Sequence, residues 1–284
     1  FAGAENVELY SYSIASNEAA LVIDINQGTA SSSPSGFTEY DGKVYFAAND
    51  GIHGSELWAF DPQSDSYFLV EDLAPGVHID HLYPYSSAPR HFTVYDNDIF
   101  FTMTNIENSY ELLAFNEEEG ESHSILKLNE GEWFTSTLVE YNQQLYFATR
   151  VPTSTSNYKL TLWRYSSETN TMSQALEYRD SANLEGINNL ITMGDDLFFT
   201  TYDSNNIHKL WSYSSVTQQK TLLSEGLNID EIVLHNETLY FTNSYLDDEG
   251  NTSVSLWRYE HDKNIVEKVT DLPFVKSYIE LTVF

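Results

Sequence analysis

Short apolar segments recur along the chain, each flanked by polar residues. Six of them are centred on a leucine: Glu8-Leu9-Tyr10, Glu56-Leu57-Trp58, Glu111-Leu112-Leu113, Thr161-Leu162-Trp163, Lys209-Leu210-Trp211 and Ser255-Leu256-Trp257. The leucines follow one another at steps of 48, 55, 50, 48 and 46 residues. Internal repeats of this length are typical of propeller blades and of helical arrays. The sequence around each leucine therefore decides whether the repeat consists of strands or of helices.

A second anchor, aromatic or β-branched, lies upstream of each leucine. The five complete examples are Val44-Tyr45-Phe46, Ile99-Phe100-Phe101, Leu145-Tyr146-Phe147, Leu197-Phe198-Phe199 and Leu239-Tyr240-Phe241. Each follows a polar dipeptide: Asp41-Gly42, Asp96-Asn97, Asn142-Gln143, Gly194-Asp195 or Asn236-Glu237. Such dipeptides form tight hairpin turns. Each unit is thus predicted to contain four strands, which in the first complete unit are residues 37–40, 43–48, 56–60 and 67–71.

The two middle strands of each unit are apolar on both faces, as Val44-Tyr45-Phe46 and Leu57-Trp58-Ala59-Phe60 illustrate. Both faces need a cover, whereas a two-layer sandwich leaves one face of each sheet in water. Four-stranded sheets stacked around an axis meet this demand. The sequence therefore predicts an all-β fold, a six-bladed β-propeller of four-stranded antiparallel blades, with residues 1–284 as a single domain.

The two ends of the chain carry matching strand patterns. Ile279 to Phe284 is similar to a first strand such as Asp230 to His235, and Phe1 stands where a second-strand anchor is expected. We expect the N- and C-terminal strands to pair and close the ring, because this pairing removes a free sheet edge. The alternative is a segment of a longer array with more blades.

Three segments, Val44 to Ala48, Asp50 to Trp58 and Leu69 to Gly76, together resemble one repeat of the ELWxxDGT family. The stretch Asp24 to Pro34 is similar to the linker between blades of that family. The other units keep the leucine and aromatic anchors, while Phe60-Asp61-Pro62 stands in place of the Asp-Gly-Thr part. The resemblance implies a propeller within a large, repetitive, exported bacterial protein. It does not imply a reaction.

Composition excludes several classes of partner. The chain has 13 Lys and Arg against 43 Asp and Glu, and a surface with a net charge of −30 repels nucleic acid and anionic lipid. It has no cysteine, and its apolar runs are shorter than the roughly 18 residues of a membrane span. No secretory leader pattern opens the sequence. We expect part of a larger protein that is extracellular or at the cell surface, with its other domains as partners.

The loops that join second to third strands and successive blades lie on one rim of a propeller. The long predicted loops are of this kind: residues 72–90, 151–158, 202–207 and 245–253. Aromatic side chains suited to a glycan or protein ligand lie in or beside them: Tyr83, Tyr85, Trp133, Tyr158, Tyr202 and Tyr245. Arg90 and His91, at the start of a first strand, complete the predicted ligand-binding set. The alternative is that the rings only pack the loops.

Two groups of residues are candidate metal ligands. His78, Asp80 and His81, with His53 and His91 as candidate neighbours, offer imidazole and carboxylate groups that suit zinc or another transition metal. Asp247, Asp248 and Glu249 cluster hard oxygen atoms beside a glycine, which suits Ca²⁺. The alternative for both groups is a solvated loop, because neither has the spacing of a defined metal motif.

No hydrolase or phosphate-binding signature occurs in the sequence. The predicted function is therefore a non-catalytic binding or adhesion module that holds a glycan or protein on its loop-rich rim. The alternative is a metal-dependent hydrolase or lactonase-like enzyme with its site in the central channel. Its candidate metal ligands are Asp230, Glu231 and Glu280, at the starts of first strands, with Arg90, His91, Asn188 and Asn189 at equivalent positions. The alternative is that these residues cap strand ends and hydrate the channel.

The acidity of the chain predicts a response to salt. Its 43 carboxylates repel one another more in the compact state, so we expect the melting temperature to rise with sodium chloride. Millimolar Ca²⁺ at matched ionic strength should raise it further, because bound Ca²⁺ stabilises the folded state. Scanning calorimetry with Mg²⁺ as the control measures both effects. If Ca²⁺ and Mg²⁺ raise the melting temperature equally, specific Ca²⁺ binding is contradicted and diffuse charge screening explains the effect.

Overall fold

The computed structural model describes residues 6–78, 83–154, 157–178, 184–203, 207–246 and 252–272. In this part of the chain the regular structure is β-strand, apart from one 3-10 helix, His261–Lys263. The all-β prediction is therefore confirmed. The chain divides into two compact units, Phe1–Glu132 and Trp133–Phe284. Within the described ranges, no helix has the length and apolar character needed to cross a membrane.

The first unit contains three antiparallel sheets. Sheet 1 pairs β1 (Leu9–Ser13) with β2 (Glu18–Ile23). Sheet 2 consists of β3 (Ser35–Tyr40), β4 (Lys43–Asn49), β5 (Ser55–Asp61) and β6 (Ser66–Glu71). Sheet 3 consists of β7 (Arg90–Tyr95), β8 (Asp98–Thr104), β9 (Tyr110–Asn116) and β10 (Glu121–Lys127). Each strand pairs with its neighbour in sequence, as predicted.

The second unit also contains three antiparallel sheets. In sheet 4, β11 (Trp133–Phe134) and β12 (Val139–Tyr141) both pair with β13 (Gln144–Ser154), followed by β14 (Asn157–Ser166) and β15 (Thr171–Tyr178). Sheet 5 consists of β16 (Leu184–Met193), β17 (Asp196–Asp203), β18 (His208–Ser214) and β19 (Gln219–Leu227). Sheet 6 consists of β20 (Ile229–His235), β21 (Thr238–Leu246), β22 (Thr252–Glu260) and β23 (Ile265–Asp271).

The predicted hairpin turns are present at all five polar dipeptides. Both residues have positive φ at Asp41-Gly42, Asp96-Asn97, Asn142-Gln143 and Asn236-Glu237. This pair of conformations defines the turn whose twist matches that of the flanking strands. At the fifth dipeptide, only Gly194 has positive φ, 58°. The sequence therefore located the inner hairpins correctly.

Sheet 1 has two strands in the described part of the chain, where the prediction has four. Because β1 carries Leu9 and β2 follows it, they correspond to the third and fourth strands of a unit. The predicted partner segments, which contain Phe1 and Ile279 to Phe284, lie outside the described residues.

Three of the predicted long loops are shorter than expected. Strands β13 and β14 extend through most of residues 151–158, β17 extends to Asp203, and β21 extends to Leu246. These segments are polar, which suggested loops, but β-branched residues such as Val151 and Thr153 favour strands whenever a partner strand continues beside them. Only the connection from β6 to β7, residues 72–89, is a long linker as predicted.

Consecutive aromatic residues of one strand point to opposite faces of sheet 2, and both faces are covered. Tyr45 packs with Ile99 and Phe101 in the core between sheets 2 and 3. Phe46 packs with Leu9 in the core between sheets 1 and 2. Tyr45 is 1% exposed and Phe46 is fully buried. Two-sided burial of this sheet agrees with stacked blades rather than with a two-layer sandwich.

The second unit repeats this arrangement in sheet 5. Phe199 packs with Tyr146 in the core between sheets 4 and 5, and Phe198 packs with Leu239 in the core between sheets 5 and 6. Both phenylalanines are fully buried. Burial of one such side chain contributes about 2–3 kcal/mol relative to its exposure. The aromatic pair in the second strand therefore joins sheet 2 and sheet 5 each to two neighbours within its unit.

A β-bulge interrupts the first strand at the same place in four sheets. The pairing register shifts between Ser35 and Thr38, Arg90 and Thr93, Asn188 and Ile191, and Ile229 and Ile232. In sheets 3 and 5 a residue with positive φ occupies the bulge and contacts a threonine of the second strand. The Nδ1 atom of His91 lies 2.9 Å from the Oγ1 atom of Thr102, and Asn189 Nδ2 donates to Thr200 Oγ1 at 3.2 Å. In these two sheets the bulge therefore brings a polar side chain against the second strand of its own sheet.

A tyrosine at the end of a first strand ties two neighbouring sheets together in each unit. The Tyr40 hydroxyl donates to the backbone oxygen of Asn97 at 2.6 Å, in the inner hairpin of sheet 3. In the second unit, the buried Tyr141 donates to the backbone oxygen of Asp195, and its hydroxyl also accepts the Ser215 N–H at 3.2 Å. These hydrogen bonds fix the orientation of one sheet against the next, which apolar packing by itself does not specify.

We expect Tyr141→Phe to lower the free energy of unfolding by about 1–3 kcal/mol, because it removes two part-buried hydrogen bonds, to the Asp195 oxygen and from the Ser215 N–H. Tyr40→Phe, at an exposed bond, should cost about 1 kcal/mol or less. Urea unfolding of the two variants of the full chain measures the difference. Equal losses in the two variants would contradict the assigned role of burial.

Candidate functional site

A buried glutamate fastens the linker between sheets 2 and 3. Glu56, fully buried in β5, accepts the backbone N–H of Leu73 at 2.9 Å. At the other end of the linker it accepts the N–H of Ser87 at 2.9 Å and the hydroxyl of Ser87 at 2.6 Å. One carboxylate therefore holds both ends of residues 73–87.

The same arrangement occurs one sheet earlier. Glu8 accepts the N–H of Ile25 at 3.0 Å and the N–H of Ser32 at 2.8 Å, and the Ser32 hydroxyl also donates to it. Glu111, the third glutamate before an anchor leucine, instead contacts the side chains of Asn105 and Ser124. We call the glutamate with its bonds to both linker ends the linker lock. The sequence indicates it, because only the units of Glu8 and Glu56 are followed by a Ser-x-Pro segment.

Burial raises the pKa of Glu56 to about 7, although the hydrogen bonds from Ser87 and Leu73 oppose the rise. The raised value reflects the cost of placing a charged carboxylate away from water. This linker lock is therefore partly protonated near neutral pH.

The linker carries an additional hairpin that the equivalent linker after sheet 1 lacks. Its arms are residues 76–78 and 83–85, and we call it the aromatic hairpin. The N–H of His78 donates to Tyr83 O at 2.9 Å, and the N–H of Tyr85 donates to Gly76 O at 3.1 Å. The His78 ring lies between two tyrosines, with centroid distances of 4.4 Å to Tyr83 and 4.1 Å to Tyr85. Three predicted site residues are thus brought together, with Tyr83 51% exposed.

The base of the aromatic hairpin packs on the loop between β4 and β5. Gly54 has a φ of +81°, and a Cβ atom built on it would lie 1.9 Å from the backbone oxygen of Tyr85. The N–H of Ser55 donates to Ser86 Oγ at 2.9 Å. Only glycine allows this approach, so the sequence Gly54-Ser55-Glu56 positions the aromatic hairpin.

The same loop holds a carboxylate–imidazole pair. Asp50 Oδ1 accepts the backbone N–H groups of Ile52 and His53 at 2.9 and 2.8 Å, while Asp50 Oδ2 lies 2.6 Å from His53 Nδ1. The hydrogen bond to Asp50 raises the pKa of His53, and the charges of Asp72 and Glu56 add to the rise. Backbone hydrogen bonds from His53 and Ile52 lower the pKa of Asp50, although burial opposes this. The sequence predicted His53 as a neighbour of the candidate metal ligands in the linker, and it missed Asp50.

A second aromatic cluster lies in sheet 4. The Arg150 guanidinium lies 4.7 Å from the ring centroid of Trp133 and 4.7 Å from that of Tyr158. The two rings meet edge to face, 6.4 Å apart. Trp133 pairs with Arg150 across β11 and β13, which is why they share a face. The sequence predicted the two aromatic residues as ligand-binding and missed the arginine that lies against both of them.

The other predicted ligand-binding residues contact separate partners. Tyr202 stacks on His208 at 5.6 Å, and the Tyr245 hydroxyl donates to Asp271 at 3.2 Å. The Arg90 guanidinium lies 5.2 Å from the centre of the Tyr110 ring. His91 occupies the bulge of β7, and burial, followed by the charge of Arg90, lowers its pKa to about 4. His91 is therefore neutral near pH 7.

Most of the predicted metal ligands lie outside the described residues: Asp80, His81, Asp247, Asp248, Glu249 and Glu280. For Asp230 and Glu231, the structure describes the backbone in β20 but not the side chains. No group of three or more His, Asp or Glu side chains suited to a metal ion occurs within the described ranges. His78, the described member of its trio, packs between tyrosines. Both metal sites stay predictions.

No protein-family profile and no curated protein sequence matches the chain. Solved structures are similar in fold. An oligogalacturonate lyase in complex with manganese has a TM-score of 0.59 at 11% identity, over 83% of this chain and 64% of that one. A mutant puromycin hydrolase has a TM-score of 0.55 at 10% identity, over 86% and 39%. TolB from Acinetobacter baumannii has a TM-score of 0.50 at 9% identity, over 93% and 59%.

The lyase and TolB have propeller folds, so the sheets described above define a propeller-like all-β protein. The chain spans less than two thirds of the length of each of these three proteins. At such low identity the likeness concerns the fold.

We expect the stability gap between the wild type and Glu56→Gln to depend on pH. The variant turns an amide group toward a backbone N–H of the linker, which should cost about 1–3 kcal/mol. Because the pKa of Glu56 is raised in the folded state, its contribution is complete below the ordinary value of 4.5 and is lost as pH rises through about 7. Urea unfolding at several pH values should show the gap shrinking as pH rises. A gap independent of pH would contradict the raised pKa.

Proposed function

We propose that the chain is the ligand-binding propeller of an exported bacterial protein, and that it holds a glycan or protein ligand on its loop-rich rim. The observation that carries this proposal is the pair of aromatic clusters, one in each unit. His78 lies between Tyr83 and Tyr85, and Arg150 lies against Trp133 and Tyr158. Aromatic rings with a polar group against them are typical of sites that stack a ligand and orient it.

The proposed location rests on sequence. The resemblance of residues 40–76 to an ELWxxDGT repeat supports an extracellular or cell-surface protein with further domains. The net charge of −30 fits a chain that works in water rich in salt and calcium.

We also propose that the chain ends complete sheet 1, which would give six four-stranded blades. Sheet 1 has only third and fourth strands in the described residues, and Ile279 to Phe284 has the pattern of a first strand. Deletion of residues 279–284 should lower the melting temperature and promote aggregation, because it exposes a sheet edge. An unchanged melting temperature would contradict ring closure by this segment.

Glycan arrays and pull-downs against bacterial surface components test the binding function. Tyr83→Ala with Tyr85→Ala, and separately Trp133→Ala, should each weaken capture of the ligand by about tenfold if its site includes that cluster. Tyr67→Ala is the matched control, because Tyr67 is 41% exposed on the outer strand β6. Ligand capture that no rim variant affects would overturn the proposal.

The second candidate is a metal-dependent hydrolase or lactonase-like enzyme, and the comparisons favour this class over a binding module. Two of the three similar structures are enzymes by name, and one of them is a manganese complex. In this chain Asp230, Glu231 and Glu280 are the proposed metal ligands. His91, kept neutral by burial, is a further group able to bind a divalent ion.

Metal analysis of the purified protein, before and after incubation with Mn²⁺ or Ca²⁺, tests the enzyme class. A stoichiometric ion that Glu231→Gln and Glu280→Gln release would support it. These substitutions should also reduce any hydrolase activity by orders of magnitude. Absence of a bound ion after incubation with both metals would exclude the channel enzyme.

A further inference from the structure

We propose that the Asp50–His53 pair and the aromatic hairpin form one binding site for an uncharged sugar ring, with His53 as the hydrogen-bonding residue and Asp50 as its positioning residue. This inference rests on the proposed binding function and names the site and the ligand class within it. The loop that carries His53 and the base of the aromatic hairpin are in direct contact at Gly54 and Tyr85.

The imidazole of His53 is held in a defined orientation. Asp50 Oδ2 accepts the hydrogen bond of Nδ1 at 2.6 Å, and its other oxygen is fixed by two backbone N–H groups. The Asp50 side chain is only 10% exposed, whereas the His53 side chain is 38% exposed. A carboxylate that orients one ring nitrogen leaves the other ring nitrogen, Nε2, as the group available to a ligand.

The aromatic hairpin supplies apolar surface next to the loop that carries His53, because Gly54 and Ser55 of this loop pack on the hairpin base. Tyr83 is 51% exposed, and the His78 ring packs against both Tyr83 and Tyr85. Ile52, next to His53, is 71% exposed. A flat, partly exposed ring beside a fixed hydrogen-bonding group is the combination that binds the apolar face and the hydroxyl groups of a pyranose ring.

The charges around His53 favour a neutral ligand over an anionic one. The groups whose charges act on it are Asp50 in its own loop, Glu56 in β5 and Asp72 in the linker, all of them carboxyl groups. The whole chain carries a net charge of −30. A uronic acid or a phosphorylated sugar would meet repulsion here, whereas an uncharged hexose would not.

A hydroxyl group also suits both charge states of His53. Protonated His53 donates from Nε2 to a hydroxyl oxygen, and neutral His53, whose Nδ1–H points at Asp50, accepts a hydroxyl hydrogen at Nε2. A carboxylate can only accept, so it would bind only the protonated ring. The pH dependence of affinity therefore distinguishes the two ligand classes.

The test begins with an array that pairs neutral oligosaccharides with uronic-acid counterparts of equal length, followed by titration calorimetry of the best hit with the full chain. We expect a neutral glycan whose affinity stays nearly level from about pH 5 to pH 8. An affinity that falls about tenfold per pH unit above the pKa of His53 would overturn the inference. So would an array on which only uronic acids bind.

Variants of the chain locate the site. His53→Ala and Tyr83→Ala should each weaken the neutral glycan about tenfold, while Tyr67→Ala should not. Asp50→Asn keeps the loop-fixing oxygen and removes the acceptor of Nδ1, so it should weaken binding and lower the pKa of His53 in a proton NMR titration. A glycan lost in Trp133→Ala but kept in His53→Ala would overturn this site and leave the proposed function intact.

A pair of glycine variants separates the placement of the aromatic hairpin from stability. Gly54→Ala forces the hairpin base away and should weaken the glycan, whereas Gly120→Ala has a similar φ of +71° with nothing within 4 Å and should not. Both carry the same backbone penalty, so equal affinity in the two variants would contradict a site that spans the loop and the hairpin.

Discussion

Two-sided burial of the middle strands is the constraint on which each unit depends. Residues such as Tyr45 and Phe46 are consecutive, so they point to opposite faces, and both are almost completely removed from water. A sheet with this pattern is stable only between two other sheets. The short inner hairpins follow from it, because neighbouring strands must stay in register for both rings to reach their separate cores.

The linkers between sheets solve a different problem, since they must cross from one sheet to the next without a strand partner. Glu8 and Glu56 supply the missing hydrogen bonds from inside the fold. Burying a carboxylate is costly, and the pKa of Glu56 records that cost. As a result, both ends of the linker after sheet 2 are fixed, and the aromatic hairpin lies between them.

The functional proposals rest on particular side chains of the sheets and linkers rather than on the fold itself. Propeller folds serve enzymes and binding modules alike, so a likeness of fold leaves the chemistry open. The polar bulges of the first strands and the two aromatic clusters are different places where a ligand can be held. The bulges include His91 and Asn189, whereas the clusters include Tyr83 in the linker after sheet 2 and Arg150 in sheet 4. The enzyme candidate uses the first strands, and the binding candidate uses the aromatic clusters.

Hydrophobic patterning in the sequence was sufficient for the strands, their order and the inner hairpins, because these depend on local alternation and on turn residues such as Asp96 and Asn97. The family resemblance likewise drew attention to Glu56 and its surroundings. Tertiary structure alone showed that Arg150 lies against both Trp133 and Tyr158, and that Asp50 orients His53 in the loop on which the aromatic hairpin packs. These residues belong to different strands or loops, and their proximity is set by strand register and by one glycine contact, neither of which leaves a periodic trace in the sequence.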